Sequence, residues 1–279
     1  MNYIYSILKE NKYSLLLIYF YMLLTQLLYL VGPYILGKTI DGLLSNNYNW
    51  LYCFLVIELL ANVFMYKRMV FDTKVYTNIY NDIVLNYLKN DTKSDTSTKV
   101  ARTEMANNLI IFFEHDIHYY IMAIVTITGS LFFIFLENVK TGFVVLTCII
   151  PICFIVYKFY YKIAQSTRVG NTQFEQKFAI IDTNDENRID TFFKRRKRIL
   201  ISGSTIQGKN WASLNVTKTI FLVSALIIFT SHNSNLTQGD AIAMYAYINQ
   251  FLISLMSIPI GVEIFTRIKD VVKRINEFN

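Results

Sequence analysis

Between Gly203 and Asn210 the chain reads GSTIQGKN, one residue away from the loop G-x-x-x-x-G-K-[ST] that cradles phosphates on backbone N–H groups. Such a loop needs a closing hydroxyl for magnesium, and Asn210 stands in its place. The run Ile199 to Ser202 before it is strand-like, but the polar stretch around it is too short for the parallel sheet of a nucleotide fold. Phe178 to Asp182 supplies no second nucleotide motif. GSTIQGKN is therefore expected to be a breaker in a helical arm. A second cluster is Glu114, His115, Asp116 and His118, in which the two histidines at i, i+3 can share a helix face. Metal binding needs a fuller ligand set, and His232 falls on the opposite side of the expected topology. A polar collar at a helix end is the simpler reading. No Ser-His-Asp or Cys-His arrangement is readable, so no catalytic, metal or cofactor-binding residue is assigned and the chain reads as a non-enzyme.

Glu58 lies in the middle of an apolar run, with Asn62 one turn further on. A carboxylate at mid-bilayer is costly, so it should face a cavity or a partner. Gln26, Asn249 and Gln250 are polar at comparable depths. These five residues could line a path for a polar or cationic solute. They could equally be hydrogen bonds between helices, each contributing about 0.6 kcal/mol.

The elements that carry these residues are six apolar runs, 14–36, 50–66, 117–136, 141–160, 216–231 and 241–265. With 53% hydrophobic and 17% charged residues, the composition is that of a polytopic membrane protein. A run of about 20 residues crosses a hydrocarbon core of roughly 30 Å. The first run has no small-residue cleavage site and is expected to stay as an anchor. Before it, Tyr3, Ile4, Ile7 and Leu8 share one face of a short interfacial helix. Cys53, Cys148 and Cys153 sit inside apolar runs and read as small hydrophobes.

Short loops, expected at Gly37 to Asn49 and Glu137 to Lys140, alternate with two long polar helical segments, Asp72 to Asp116 and Lys158 to Asn215. In the first, Asn90 to Thr98 is the evident turn. The fifth run is the weakest, and charge supports it. With six spans and both termini cytoplasmic, all but Lys38 and Lys140 of the 27 Lys and Arg lie on the cytoplasmic side. Topology and anionic lipid facing Lys194 to Arg198 then account for the net +7, without a nucleic-acid partner.

The segment Asn235 to Phe278 opens with Leu-Thr-Gln-Gly-Asp, carries Pro259, and closes with Arg274, Ile275, Glu277 and Phe278. It resembles the sixth transmembrane helix of exporter-type (six-helix, type IV) ABC transporters. Lys99 to Asn107 and Asp185 to Lys194 are similar to the family's stretches around the two excursions, without its glycines. The resemblance implies an all-α membrane fold over 1–279, with six transmembrane helices and two long cytoplasmic helical extensions. It implies a homo- or heterodimer that exchanges spans 4 and 5 around an alternating-access path. The excursion tips would dock on an ATPase, near Asn90 to Thr98 (Asp91, Thr92, Lys93) and near Asn187 to Arg195 (Arg188, Asp190, Arg195). The family's ATPase domain begins a short linker after this point, whereas this sequence stops at Asn279. ATP and Mg are thus expected only on a separate partner chain, leaving a permease subunit in the inner membrane. Two other readings stand beside it, an ATPase-free structural or regulatory membrane partner and an ion-coupled transporter using Glu58.

Overall fold

The computed structural model describes residues 10–90, 96–231 and 235–277, with backbone alone for 258–277 and for parts of 90–109 and 167–179. Among the described residues all regular structure is helical. The elements are α1 (Lys12–Leu44), α2 (Asn49–Asn90), α3 (Thr96–Ile111), a π-helical turn (Phe112–Asp116) and α4 (Ile117–Glu137). They continue with α5 (Val139–Thr147), α6 (Ile149–Asp182), α7 (Glu186–Ser231) and α8 (Gln238–Glu277).

Helices are what an apolar surround demands, because each backbone polar group must find its partner within the segment. The hydroxyls inside them follow the same rule. Thr25 donates to the Tyr21 carbonyl, Thr39 to that of Ile35 and Thr126 to that of Met122, each at 2.8 Å. Five helical stretches among the described residues are long and apolar enough to cross a membrane: Lys12–Leu44, Asn49–Lys89, Phe112–Glu137, Val139–Ser166 and Glu186–Ser231. The sixth expected span, 241–265, falls on α8. The 42 residues of α2 extend about 63 Å, roughly twice a hydrocarbon core, so one continuous helix serves as span and arm.

The chain divides into two compact units. The first comprises Met1–Val139 and Phe229–Asn279. In it α1 packs against α2, α8 and α4, and α4 packs against α8. Toward the arms, Ile18 of α1 meets Val75, Tyr76 and Ile79 of α2 and Ile110 of α3. Deeper in the bundle, Met244, Tyr247, Ile248, Phe251 and Leu252 of α8 are buried. The Tyr247 ring stacks on Phe133 of α4 with centroids 4.8 Å apart. A Cβ on Gly129 of α4 would stand 2.5 Å from a methyl of Leu30, so only glycine lets that side chain nest.

The second unit is Lys140–Ile228, carrying nearly all of α5, α6 and most of α7. The short break between α5 and α6 is at Cys148, whose N–H bonds the Val145 carbonyl at 3.1 Å. Pro151 follows within the first turn of α6, where its missing N–H is harmless. The arms of α6 and α7 turn at Thr183 to Asp185. Asn184 takes the left-handed conformation (φ 49°), and the Asp185 carboxylate accepts the N–H groups of Asn187 (3.0 Å) and Arg188 (3.2 Å), which starts α7.

Three expectations are corrected. The loop expected at Gly37 to Asn49 is helical as far as Leu44. Asn46 (φ 57°) ends α1, and the Asn47 N–H closes onto the Gly42 carbonyl at 2.7 Å, the Schellman arrangement. GSTIQGKN is neither strand-led nor a breaker, because α7 runs through it unbroken. Gly203 instead marks a close approach of α7 to Ser166 of α6. The second tip is at Thr183 to Asp185 and not at Asn187 to Arg195, which forms the first turns of α7. The N-terminal interfacial helix (Tyr3, Ile4, Ile7, Leu8), His232 and the first tip with Asp91, Thr92 and Lys93 lie outside the described residues, as do the side chains of Arg274, Ile275, Glu277 and Phe278.

Two glycine substitutions should move stability in opposite directions. Gly129→Ala forces Leu30 out of its site and should cost about 1–3 kcal/mol. A Cβ on Gly208 meets nothing within 4 Å, so Gly208→Ala should stabilise α7 by up to about 1 kcal/mol. Thermal unfolding of the purified protein in detergent checks both signs.

Candidate functional site

At the short-loop end of the first unit, α8 begins with a reciprocal cap. The Thr237 hydroxyl accepts the Asp240 N–H (3.1 Å), and the Asp240 carboxylate accepts the Thr237 N–H (3.4 Å). This cap is gripped by α1. Asp41 accepts the Gly239 N–H at 2.8 Å on one oxygen and the Thr237 hydroxyl at 2.7 Å on the other. Lys38 donates to Asp240 at 3.2 Å. The backbones touch here. A Cβ on Gly239 would collide with the Gly37 carbonyl, and one on Gly37 would stand 2.5 Å from the Gly239 oxygen. Thr-Gln-Gly-Asp, legible in the sequence as a turn, is thus half of a clasp. Its other half, Gly37, Lys38 and Asp41, lies in the segment expected as a loop, and an acid and a base one turn apart are the signal for it.

At the arm end lies a buried polar knot. Asp72 of α2 is 5% exposed and His118 of α4 is 4% exposed. One Asp72 oxygen is 3.6 Å from Arg68 Nε and 3.9 Å from His118 Nε2. The His118 ring stacks on Tyr19 of α1 (centroids 5.4 Å, planes 18° apart) and meets Tyr76 edge-on at 6.3 Å. Just before it, the π-helical turn Phe112–Asp116 adds a residue to the winding, a feature frequent at functional sites. The sequence reading found His118 but missed Asp72, Arg68 and Tyr19. His115 is exposed while His118 is buried, so the pair does not form a shared face, and among the described residues no group of three or more His, Cys, Asp or Glu is placed to hold a metal ion.

The five path residues differ in burial and in hydrogen bonding. Gln26 is buried and donates to the Thr126 hydroxyl of α4 at 2.6 Å, a hydrogen bond between helices. Asn62 is exposed and donates to the backbone carbonyl of Glu58 at 2.8 Å. Glu58 is half-buried, as are Asn249 and Gln250, and the Gln250 side-chain oxygen is enclosed without a hydrogen-bond partner among the described residues. Of the ATPase-facing set, Arg188, Asp190 and Arg195 are exposed. Arg188 pairs with Asp185 (3.4 Å) and Asp190 with Lys194 (2.6 Å).

Long apolar helices extended by polar arms, with polar side chains inside the spanning bundle, define an integral, multi-pass membrane protein. A family model described as the ABC transporter transmembrane region matches residues 4–239. The chain belongs to that family. The matched segment closes on Gly239, inside the clasp. No curated protein matches the chain.

The clasp carries a pH dependence. Partial burial pushes the Asp240 carboxyl up, but hydrogen bonds from Thr237 and the Lys38 ammonium outweigh it and hold the group below its ordinary value. A depressed folded-state pKa gives stability that is complete above the unfolded value of about 4 and fades as pH falls through the folded one. Asp240→Asn should therefore lower the thermal midpoint at neutral pH, and its difference from the native protein should narrow below about pH 4. A pH series of melting curves measures this.

Proposed function

We propose that the chain is the transmembrane permease subunit of an ABC-type exporter. It acts as a homo- or heterodimer, and a separate ATPase chain supplies nucleotide hydrolysis. The observation that carries this reading is the family match across most of the chain, joined to spans that continue as helices well beyond bilayer length. The compact unit Lys140–Ile228, a span, an arm hairpin and a returning span, has the make-up expected of the portion that two such chains exchange.

On this reading ATP and Mg bind to the partner, and the chain has no catalytic residue, metal or nucleic-acid ligand of its own. Its contribution is binding and alternating access, in which a solute shifts the balance between two states only by its difference in affinity for them. The protein sits in the inner membrane with both termini and both arm tips cytoplasmic, as the distribution of Lys and Arg supports. Arg188, Asp190 and Arg195, exposed in the first turns of α7 beyond the second tip, are the ATPase-contacting residues on that side, and Asp91, Thr92 and Lys93 those at the first tip.

The test is gentle affinity purification from the native membrane, followed by mass spectrometry of co-purifying chains and native mass. A stoichiometric ATPase with two copies of a six-span subunit is the expected result, and Arg188→Glu with Arg195→Glu should reduce recovery of the ATPase. A stable assembly that retains no ATPase under these conditions would refute the permease reading and favour the regulatory one.

A further inference from the structure

The buried knot of Arg68, Asp72 and His118 is short of one hydrogen. His118 Nδ1 lies 3.2 Å from the backbone oxygen of Phe113, the carbonyl that the π-helical turn brings within reach. A carbonyl only accepts, so Nδ1 carries the proton, and in the neutral ring Nε2 is left as a bare lone pair. Nε2 faces an oxygen of Asp72 at 3.9 Å, and an ionised carboxylate also only accepts. Two acceptors therefore confront each other in a place closed to bulk water.

Arg68 does not supply the missing donor. Arg68 Nε stands 3.6 Å from the same oxygen, beyond hydrogen-bond length, while its Nη1 points at the Met122 sulfur 3.9 Å away. Among the described residues, neither Arg68 Nε, the second Asp72 oxygen nor His118 Nε2 has a hydrogen-bond partner. The ring is not free to turn elsewhere, because Tyr19 covers its face and Tyr76 meets it edge-on. Among the described residues, the charges that act on Asp72 are Arg68 on its own helix and Glu114 and His115 from the π-helical turn. Among the described residues, two carboxylates, Asp72 and Glu114, stand near one permanent cation. Bare acceptors in low dielectric are expensive, and one proton relieves them.

We propose that Asp72 and His118 together form a proton-binding site, holding one exchangeable proton between Oδ2 and Nε2 through a single bridging water. The ligand is a proton taken from solution, and no co-reactant is needed. Bound, it ties α2 to α4 beside α1 at the arm end. Lost, it leaves a carboxylate and a lone pair opposed and loosens the same contact. This inference concerns residues that the permease reading does not use, and it stands or falls apart from any ATPase partner.

The test is ¹⁵N NMR of the full chain, labelled at histidine, in lipid nanodiscs from about pH 5 to about pH 9. The chain holds three histidines, so His118→Gln assigns the relevant signal. The expected result is a protonated Nδ1 throughout and an Nε2 signal that shifts in a single one-proton step, with that step displaced or abolished in Asp72→Asn. An Nε2 signal that does not change across this range in the native protein would overturn the proposal. That titration needs no variant, so it decides the matter even if Asp72→Asn fails to fold. A step identical in a folded Asp72→Asn would also overturn it, since the proton would then belong to the histidine alone.

Discussion

The grip of Asp41 on Thr237 and Gly239 fixes the helix on which the first unit depends. In lipid, helices gain little from hiding apolar surface from one another, and what holds them is close approach and polar bonds. The clasp provides both at one point, backbone contact at Gly37 and Gly239 and three side-chain bonds around it. Because α1 also packs on α2 and α4, fixing α1 to α8 sets the frame for the other helices of that unit. A methyl group at either glycine would separate the two backbones, and the carboxylate would lose the N–H it accepts.

Much of this architecture was legible because the bilayer imposes a length, and a run such as Leu15 to Leu36 can satisfy that length in few ways. Helix ends were less legible, since no apolar run marks where a helix stops once it has left the hydrocarbon. Thus α1 continues to Leu44, where Asn46 in the left-handed conformation ends it. The glycines of GSTIQGKN misled for a related reason. Each weakens a helix by about 1 kcal/mol, but α7 is 46 residues long and a local weakness does not restart the cost of nucleation. The turn that was missed sits at Thr183 to Asp185, where Asn184 and the capping Asp185 are the local signal.

Direction around a span was not readable. Gln26 and Glu58 are both polar residues within spans, yet Gln26 is spent on Thr126 whereas Glu58 is half-buried. Helical period alone cannot settle which face meets a neighbour when nearly every position is apolar. Asp72 escaped notice for the opposite reason. It follows the second apolar run by a few residues and looked like the start of a solvated arm, but it is almost fully buried. Arg68 four residues earlier and the Glu-His-Asp-x-His run beyond the first tip were separate hints, and only folding brings them together.

The two polar clusters grip α1 at opposite ends, and this constrains how the first unit can move. At the short-loop end the clasp joins α1 to α8 through backbone contact, an arrangement that tolerates little sliding. At the arm end α1 contributes Tyr19 to a knot whose charged members come from α2 and α4, held by contacts of 3.6 and 3.9 Å in place of tight hydrogen bonds. The second grip is the weaker one mechanically and the more sensitive one electrostatically. A change of charge near Asp72 therefore acts directly on the contact of α2 and α4 beside α1. Since α2 is unbroken from Asn49 to Asn90, any resulting displacement passes along the helix as a rigid body, toward the arm in one direction and toward Glu58 in the other.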